Sequence, residues 1–204
     1  MGDALRAKDI QGTSLSRTQG IIYAGMFASL IAVGAFIKVM IPVGPFMVTF
    51  SLQFLFSLLA GFFLGARLGF LSVLSYLIVG LAGVPVFAHG GGLAYVAKPT
   101  FGFLIGFAAA AFIAGLLTEH AGRIRLPHLI FAAFCGELAY YACGLAYYFL
   151  MFNYLLPEAE GIGLRELFSV WFLSTVGPDF CLCILASLIT VRLLPTFRRI
   201  AAGQ

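Results

Sequence analysis

The chain has 204 residues, of which 62% are hydrophobic and only 10% charged, and its mean hydropathy is +1.05. Soluble domains carry about 25% charged residues, so the composition excludes one and identifies an integral membrane protein. The net charge of +4 is accounted for by where the cations fall along the chain, as shown below, and does not mark a nucleic-acid binder.

Residues 1–19 are polar and of mixed charge, with no signal-peptide cleavage pattern before the first apolar run. Apolar stretches follow at 20–41, 51–65, 68–84, 100–117, 128–152 and 167–194. The expected fold class is an all-α integral membrane protein with six transmembrane helices and cytoplasmic N and C termini. Its parts are a cytoplasmic segment at 1–19, a six-helix membrane domain at 20–194 and a cytoplasmic tail at 195–204. On this topology Arg6, Lys8, Arg17, Arg67, Arg123, Arg125, Arg192, Arg198 and Arg199 lie inside. Only Lys38, Lys98 and Arg165 lie outside. The asymmetry obeys the positive-inside rule. The acidic residues Glu158, Glu160 and Glu166 fall outside as well.

In the first span, Ala24, Ala28 and Ala32 share one helix face. Small residues on one face allow close helix approach in lipid, either within the chain or against another membrane subunit. An apolar loop with paired prolines, Ile41–Phe50, then leads to Ser51 and Gln53 at the mouth of the second span. The second and third spans are short for a bilayer that needs about 20 apolar residues. A tight Gly65-Ala66-Arg67 turn joins them, with Gly61 and Gly69 placed to serve it.

The segment Leu81–Phe107 is apolar, glycine-rich and interrupted by Pro85 and Pro99. Irregular backbone near membrane depth is tolerated where protein buries it or a cavity solvates it, so the segment reads as the lid or wall of a binding site. Within it Gly90, Gly91 and Gly92 permit close backbone approach, Phe87 and Tyr95 offer aromatic surface, and Lys98 is the cation. Lys98 either snorkels to the bilayer surface or pairs with a ligand carboxylate.

In the fifth span, Glu137, Tyr140, Tyr141, Gly144 and Tyr148 share a face, with Tyr147 and Tyr148 read as interface anchors. Asp179, after Pro178, is read near the middle of the sixth span. Ionisable groups at that depth face a cavity or a partner by default. The four cysteines, Cys135, Cys143, Cys181 and Cys183, form no metal-ligand pattern and read as packing residues.

An intramembrane hydrolase would need a nucleophile beside a base. His89, His120 and His128 have no evident serine partner. A channel would need a polar pore-lining stripe, and the spans lack one. There is no internal repeat of the secondary-transporter kind and no phosphate-binding GxxxxGK[ST] loop. Uphill transport by this chain therefore requires an energy source in a partner.

Four motifs taken together resemble a known family. Ser51-Leu52-Gln53 resembles its Thr-Leu-Gln motif, Gly83-Val84-Pro85-Val86-Phe87 its Gly-Leu-Pro-Val-Phe, and Pro99-Thr100-Phe101-Gly102-Phe103 its Pro-Thr-Gly-Gly-Tyr. Pro178-Asp179 resembles the proline-aspartate motif of its last span. The order and spacing, from about Ala28 to Leu194, are those of the BioY family, the biotin-binding S components of energy-coupling factor (ECF) transporters. The resemblance implies a non-enzymatic plasma-membrane subunit without a cofactor. It would capture biotin at the extracellular side and work with a T component and two ATPases. An S component for another small vitamin-like solute is the alternative. The resemblance implies Asp179 as a ligand-binding residue and favours Ala28 and Ala32 as contacts of the T component. Together with the reading of the residues themselves, the candidate binding residues are Asp179, Lys98, Gln53, Ser51, Phe87, Gly91, Tyr95, Glu137, Tyr140 and Tyr141, and the candidate T-component contacts are Ala24, Ala28 and Ala32. Two departures stand out: Leu182 occupies a position where many members have lysine, and Lys98 one where many have glycine.

Overall fold

A computed structural model describes residues 16–43, 46–121, 124–155 and 163–201. Helix α1 spans Arg17–Phe36. It starts where Ser16 and Gln19 form a reciprocal capping box, each side chain accepting the other's backbone N–H.

The stretch expected as a proline loop is instead an antiparallel hairpin of β1 (Lys38–Val43) and β2 (Phe46–Ser51), in register from Lys38–Ser51 to Val43–Phe46. A two-stranded ribbon has only edges, and an edge accommodates Pro42. Gly44 and Pro45 lie outside the described residues.

Helix α2 runs from Gln53 to Leu81 with one break, at Gly65, where φ is 83° and ψ −178°. Essentially only glycine occupies that region. The break reverses the chain. Gln53 and Tyr76 would lie about 34 Å apart on a straight helix, yet their side chains are hydrogen-bonded. A Cβ on Gly69 would stand 2.8 Å from the Gly61 Cα. The sequence-derived hairpin of two short spans is thus present as two antiparallel halves. The three-glycine spacing works as expected, allowing backbone to approach backbone at the turn.

A short 3₁₀ turn at Leu93–Ala97 precedes α3 (Phe101–Glu119), which is followed by α4 (Leu126–Leu150). Helix α3 lies centrally between α2 and α4. Its Ala111 carbonyl would be 2.3 Å from a Cβ on Gly61, a contact that only a missing side chain permits. A π-helical turn at Met151–Leu155, the short α5 (Leu164–Leu167) and a second π turn at Phe168–Leu173 lead to α6 (Val176–Ala201). Glu158 and Glu160 fall outside the described residues, as do Arg6, Lys8 and Arg123.

Among the described residues, five helices are long and apolar enough to cross a membrane, with the reversed α2 counted once. The last one corrects the sequence reading. The expected span at 167–194 begins with irregular turns, and its long helix starts only at Val176 and continues to Ala201. Asp179 therefore sits in the first turn of α6, not at mid-span, and Pro178 falls where its missing N–H removes no helical bond. At the other end, the Gln19 Nε2 donates to the Ala201 carbonyl at 3.0 Å, so both described chain ends meet. The Gly65 turn and the end of α3 lie at the same end, since a Cβ on Gly115 would touch Ala66.

Candidate functional site

At the end opposite the chain termini, a cavity of about 160 Å³ opens between the β hairpin, the Leu81–Thr100 segment and the helix ends. Asp179 and Thr175 lie on one wall of this cavity. Asp179 is 5% exposed. Its Oδ2 accepts the Tyr141 hydroxyl at 2.6 Å, and the same phenol oxygen is 2.6 Å from Thr175 Oγ1. The second carboxylate oxygen, Oδ1, has no partner among the described residues. A buried carboxylate with one oxygen held and one open is an acceptor prepared for N–H or O–H groups of a guest.

Aromatic rings make the apolar walls. Phe107 and Tyr140 stack at 5.2 Å with 4° between their planes. Phe54 and Phe103 pack on Tyr140 at 4.9 and 5.3 Å. The Tyr140 hydroxyl has no partner among the described residues, so this wall also offers a donor to the cavity.

Gln53 is 2% exposed and ties several elements together at the cavity wall. Ser51 Oγ donates to Gln53 Oε1 at 3.0 Å, Gln53 Nε2 donates to the Tyr76 oxygen, and Tyr76 donates to the Val86 carbonyl at 3.2 Å. The hairpin, both halves of α2 and the lid segment are joined by this one chain of bonds.

The mouth is cationic. Lys98 Nζ lies 4.5 Å from the Tyr95 ring centroid and donates to the His89 carbonyl at 3.3 Å. Lys38 Nζ, from β1, donates to the Ala88 carbonyl. Burial, followed by Lys38 and Lys98, lowers the His89 pKa from its ordinary value. Burial raises the Tyr95 pKa, with its hydrogen bond to the His89 backbone opposing. The positive charge of Lys38 and Lys98 suits a carboxylate at this mouth.

The arrangement has an acceptor at one side, an aromatic slot between and cations above. The BioY family model matches residues 7–199 of the chain. The chain belongs to the BioY family. It is similar to the probable biotin transporter BioY of Lysinibacillus sphaericus, with 41% identity over 181 residues, 89% of either protein. It is 36% identical over 174 residues to the biotin transporter BioY of Thermotoga maritima, covering 85% of this chain and 94% of that one. A crystal structure of the S-component for biotin from an ECF-type ABC transporter superposes with a TM-score of 0.69 at 25% identity. The match covers 88% of this chain and 94% of that chain. BioY is a family of transporter subunits and not of enzymes.

Of the residues singled out in this BioY-family sequence, Asp179, Lys98, Gln53, Ser51, Tyr95 and Tyr140 line the cavity. Four others lie behind its wall. Tyr141 does not line the cavity and reaches it through Asp179 and Thr175. Phe87 is 2% exposed and supports Tyr95 at 4.7 Å. Gly91 packs on the end of α2, where a Cβ would be 2.3 Å from the Val84 carbonyl. Ala88 and His89, its neighbours, face the cavity in its place. Glu137 is fully buried one helical turn from Tyr141, within 3.5 Å of Cys183 Sγ.

Tyr148, read as an interface anchor, is buried against Phe152 at 4.7 Å. Ala24 is buried against the rest of the chain, and Ala28 and Ala32 are half-buried on α1. The sequence reading missed Thr49, Phe54, Phe103, Phe107, Thr175 and His89 at the cavity. Of these, Thr175 carried a usable signal: it lies one helical turn before Asp179.

Proposed function

We propose that this chain is the biotin-binding S component of an ECF transporter, capturing biotin at the extracellular side for ATP-driven uptake with a T component and two ATPases. The observation that carries the reading is the cavity in which Asp179 Oδ1 stands open at one wall and Lys98 at the mouth. Biotin is polar at two ends and apolar between. Its cyclic urea offers N–H donors to Asp179, and charge assistance strengthens such bonds. Its ring and chain fit between Phe54, Phe103, Phe107 and Tyr140, and its carboxylate meets Lys98, with Ser51, Gln53 and Tyr95 completing the polar lining. Phe87, Gly91, Glu137 and Tyr141 act from behind, holding these groups in place.

The topology belongs to the same proposal. With α2 reversed at Gly65, the chain crosses the membrane six times and both termini are cytoplasmic. The arginines at the terminal end and Lys38, Lys98 and Arg165 at the cavity end support this orientation. Ala28 and Ala32 face the T component, while Ala24 seats α1 on the rest of the subunit.

Purified protein from biotin-replete cells should release bound biotin on denaturation. In calorimetric competition, biotin should displace desthiobiotin and be undisturbed by thiamine. Displacement by thiamine instead would favour another vitamin-like solute. A Lys98→Ala variant should bind biotin about tenfold more weakly, the order expected for losing one charge-assisted contact. Unchanged affinity would remove Lys98 from the site.

A further inference from the structure

A second cavity, of about 250 Å³, lies at the opposite end, between the α2 turn, the end of α3 and the end of α6; Gly65, Leu68, Thr118, Glu119, Phe197 and Arg198 are among its lining residues. Arg198 Nη1 is shielded from solvent and has no hydrogen-bond partner among the described residues. A guanidinium keeps its charge in proteins, and a buried charged donor without an acceptor is costly. Glu119 shares the cavity, and its Oε1 accepts the Ala66 N–H at 3.0 Å. Glu119 is itself exposed, its Oε2 has no protein partner among the described residues, and no ion pair joins it to Arg198. Thr118 Oγ1 already donates to the Ala114 carbonyl at 2.7 Å, which leaves its lone pairs as acceptors.

One cavity thus holds a shielded donor without an acceptor and, at its exposed rim, a carboxylate oxygen without a protein partner. A guest that satisfies both carries an anionic and a cationic, hydrogen-donating group a few bonds apart. We propose that this cavity binds the headgroup of a phosphoethanolamine lipid, its phosphate on Arg198 and its ammonium on Glu119. Arginine's fork matches phosphate oxygens, and basic pockets between helix ends are a recurrent setting for lipid headgroups. Arg67, Arg192 and Arg199 belong to the same end of the helices, which places the cavity at headgroup depth. The rim supplies the path for the acyl chains. Phe63 and Phe197 pack edge-to-face at 5.2 Å beside Leu68, and Phe70 and Leu71 further along α2 are 37% and 46% exposed.

The test uses the delipidated full-length protein in detergent, offered an equimolar mixture of phosphatidylethanolamine, phosphatidylglycerol and phosphatidylcholine. Native mass spectrometry should find the ethanolamine lipid retained at least about fivefold over the other two. Choline cannot donate hydrogen bonds to Glu119, and phosphatidylglycerol brings no cation. Glu119→Gln and Arg198→Gln should each abolish the preference. Glu119→Gln retains an acceptor for Ala66, so it keeps the turn and decides the matter even where Arg198→Gln fails to fold. Retention of phosphatidylcholine equal to the ethanolamine lipid, or a preference for phosphatidylglycerol, overturns the assignment. So does equal thermal protection by water-soluble phosphoethanolamine, which would place the ligand in solution and not in the membrane.

Discussion

At the scale of single residues, Asp179 and Tyr141 divide one task. Asp179 faces the cavity and Tyr141 does not, yet the 2.6 Å bond between them fixes which carboxylate oxygen stays open. Replacing Asp179 by Asn keeps the size and removes the charge on the acceptor, at a cost of about 1.5–3 kcal/mol in binding, or roughly tenfold to over a hundredfold in Kd. Tyr141→Phe leaves the carboxylate in place but unheld, a loss of about 1 kcal/mol. Titration of biotin into both variants should rank Asp179→Asn well below Tyr141→Phe, with the wild type tightest. A Tyr141→Phe variant as weak as Asp179→Asn would mean that the phenol itself meets the ligand. The polar half of this site was legible in the sequence because Asp179, Gln53 and Lys98 are conspicuous in an apolar chain. The aromatic half was not. With 22 phenylalanines in the chain, nothing in a run such as Phe101–Phe107 separates a ring that faces a cavity from one that faces a helix. Tyr76 was missed for the same reason: its role depends on the Gly65 reversal, which brings it to Gln53.

At the scale of elements, that reversal is the feature on which the cavity depends most. It returns the second half of α2 along the first, so that Tyr76 meets Gln53 and the lid segment is delivered above the α3 entrance. Gly65→Ala would place a side chain at φ 83°, and its Cβ would stand 1.9 Å from Glu119 Oε1. Backbone strain of this kind costs about 1–3 kcal/mol before the clash is counted. Gly25→Ala is the matched control. Its Cβ meets nothing within 4 Å, and alanine is the better helix former by about 1 kcal/mol. Thermal unfolding in detergent should show Gly65→Ala melting several degrees below the wild type and Gly25→Ala at or above it. Equal melting temperatures would mean that the turn relaxes without strain. The turn was readable from two spans too short to cross alone. The hairpin at 38–51 was not, because paired prolines suggest a loop, and only the backbone pairing reveals an edge-only ribbon that tolerates Pro42. The start of α6 was misplaced because hydropathy continues through Phe168–Leu173, where the backbone is π-helical. Hydropathy reports what lipid accepts and is silent on helical pitch.

At the scale of the whole molecule, the proposed binding site and the proposed partner contact fall on different surfaces. The ligand cavity lies beneath the hairpin and lid segment, whereas the proposed T-component contact lies along α1, a peripheral helix with Ile22, Met26 and Val33 exposed at 61%, 43% and 52%. An S component that relies on a partner for energy should lose uptake, but keep binding, when that contact is blocked. Ala32 suits the test because it is half-buried on α1 and does not line the cavity. A tryptophan there would hold the partner helix away, since small residues set how closely helices approach in lipid. Leu185, 42% exposed on α6, supplies the comparison: Leu185→Trp adds the same ring to an exposed position on a different helix. In vesicles containing the T component and both ATPases, Ala32→Trp should reduce ATP-driven biotin uptake at least about tenfold and no longer co-purify with the T component. Its biotin Kd should stay within about twofold of wild type, and Leu185→Trp should match wild type in all three measurements. Equal uptake by the two variants would move the docking surface off α1. A loss of biotin binding in Ala32→Trp would show instead that α1 and the cavity are mechanically one unit.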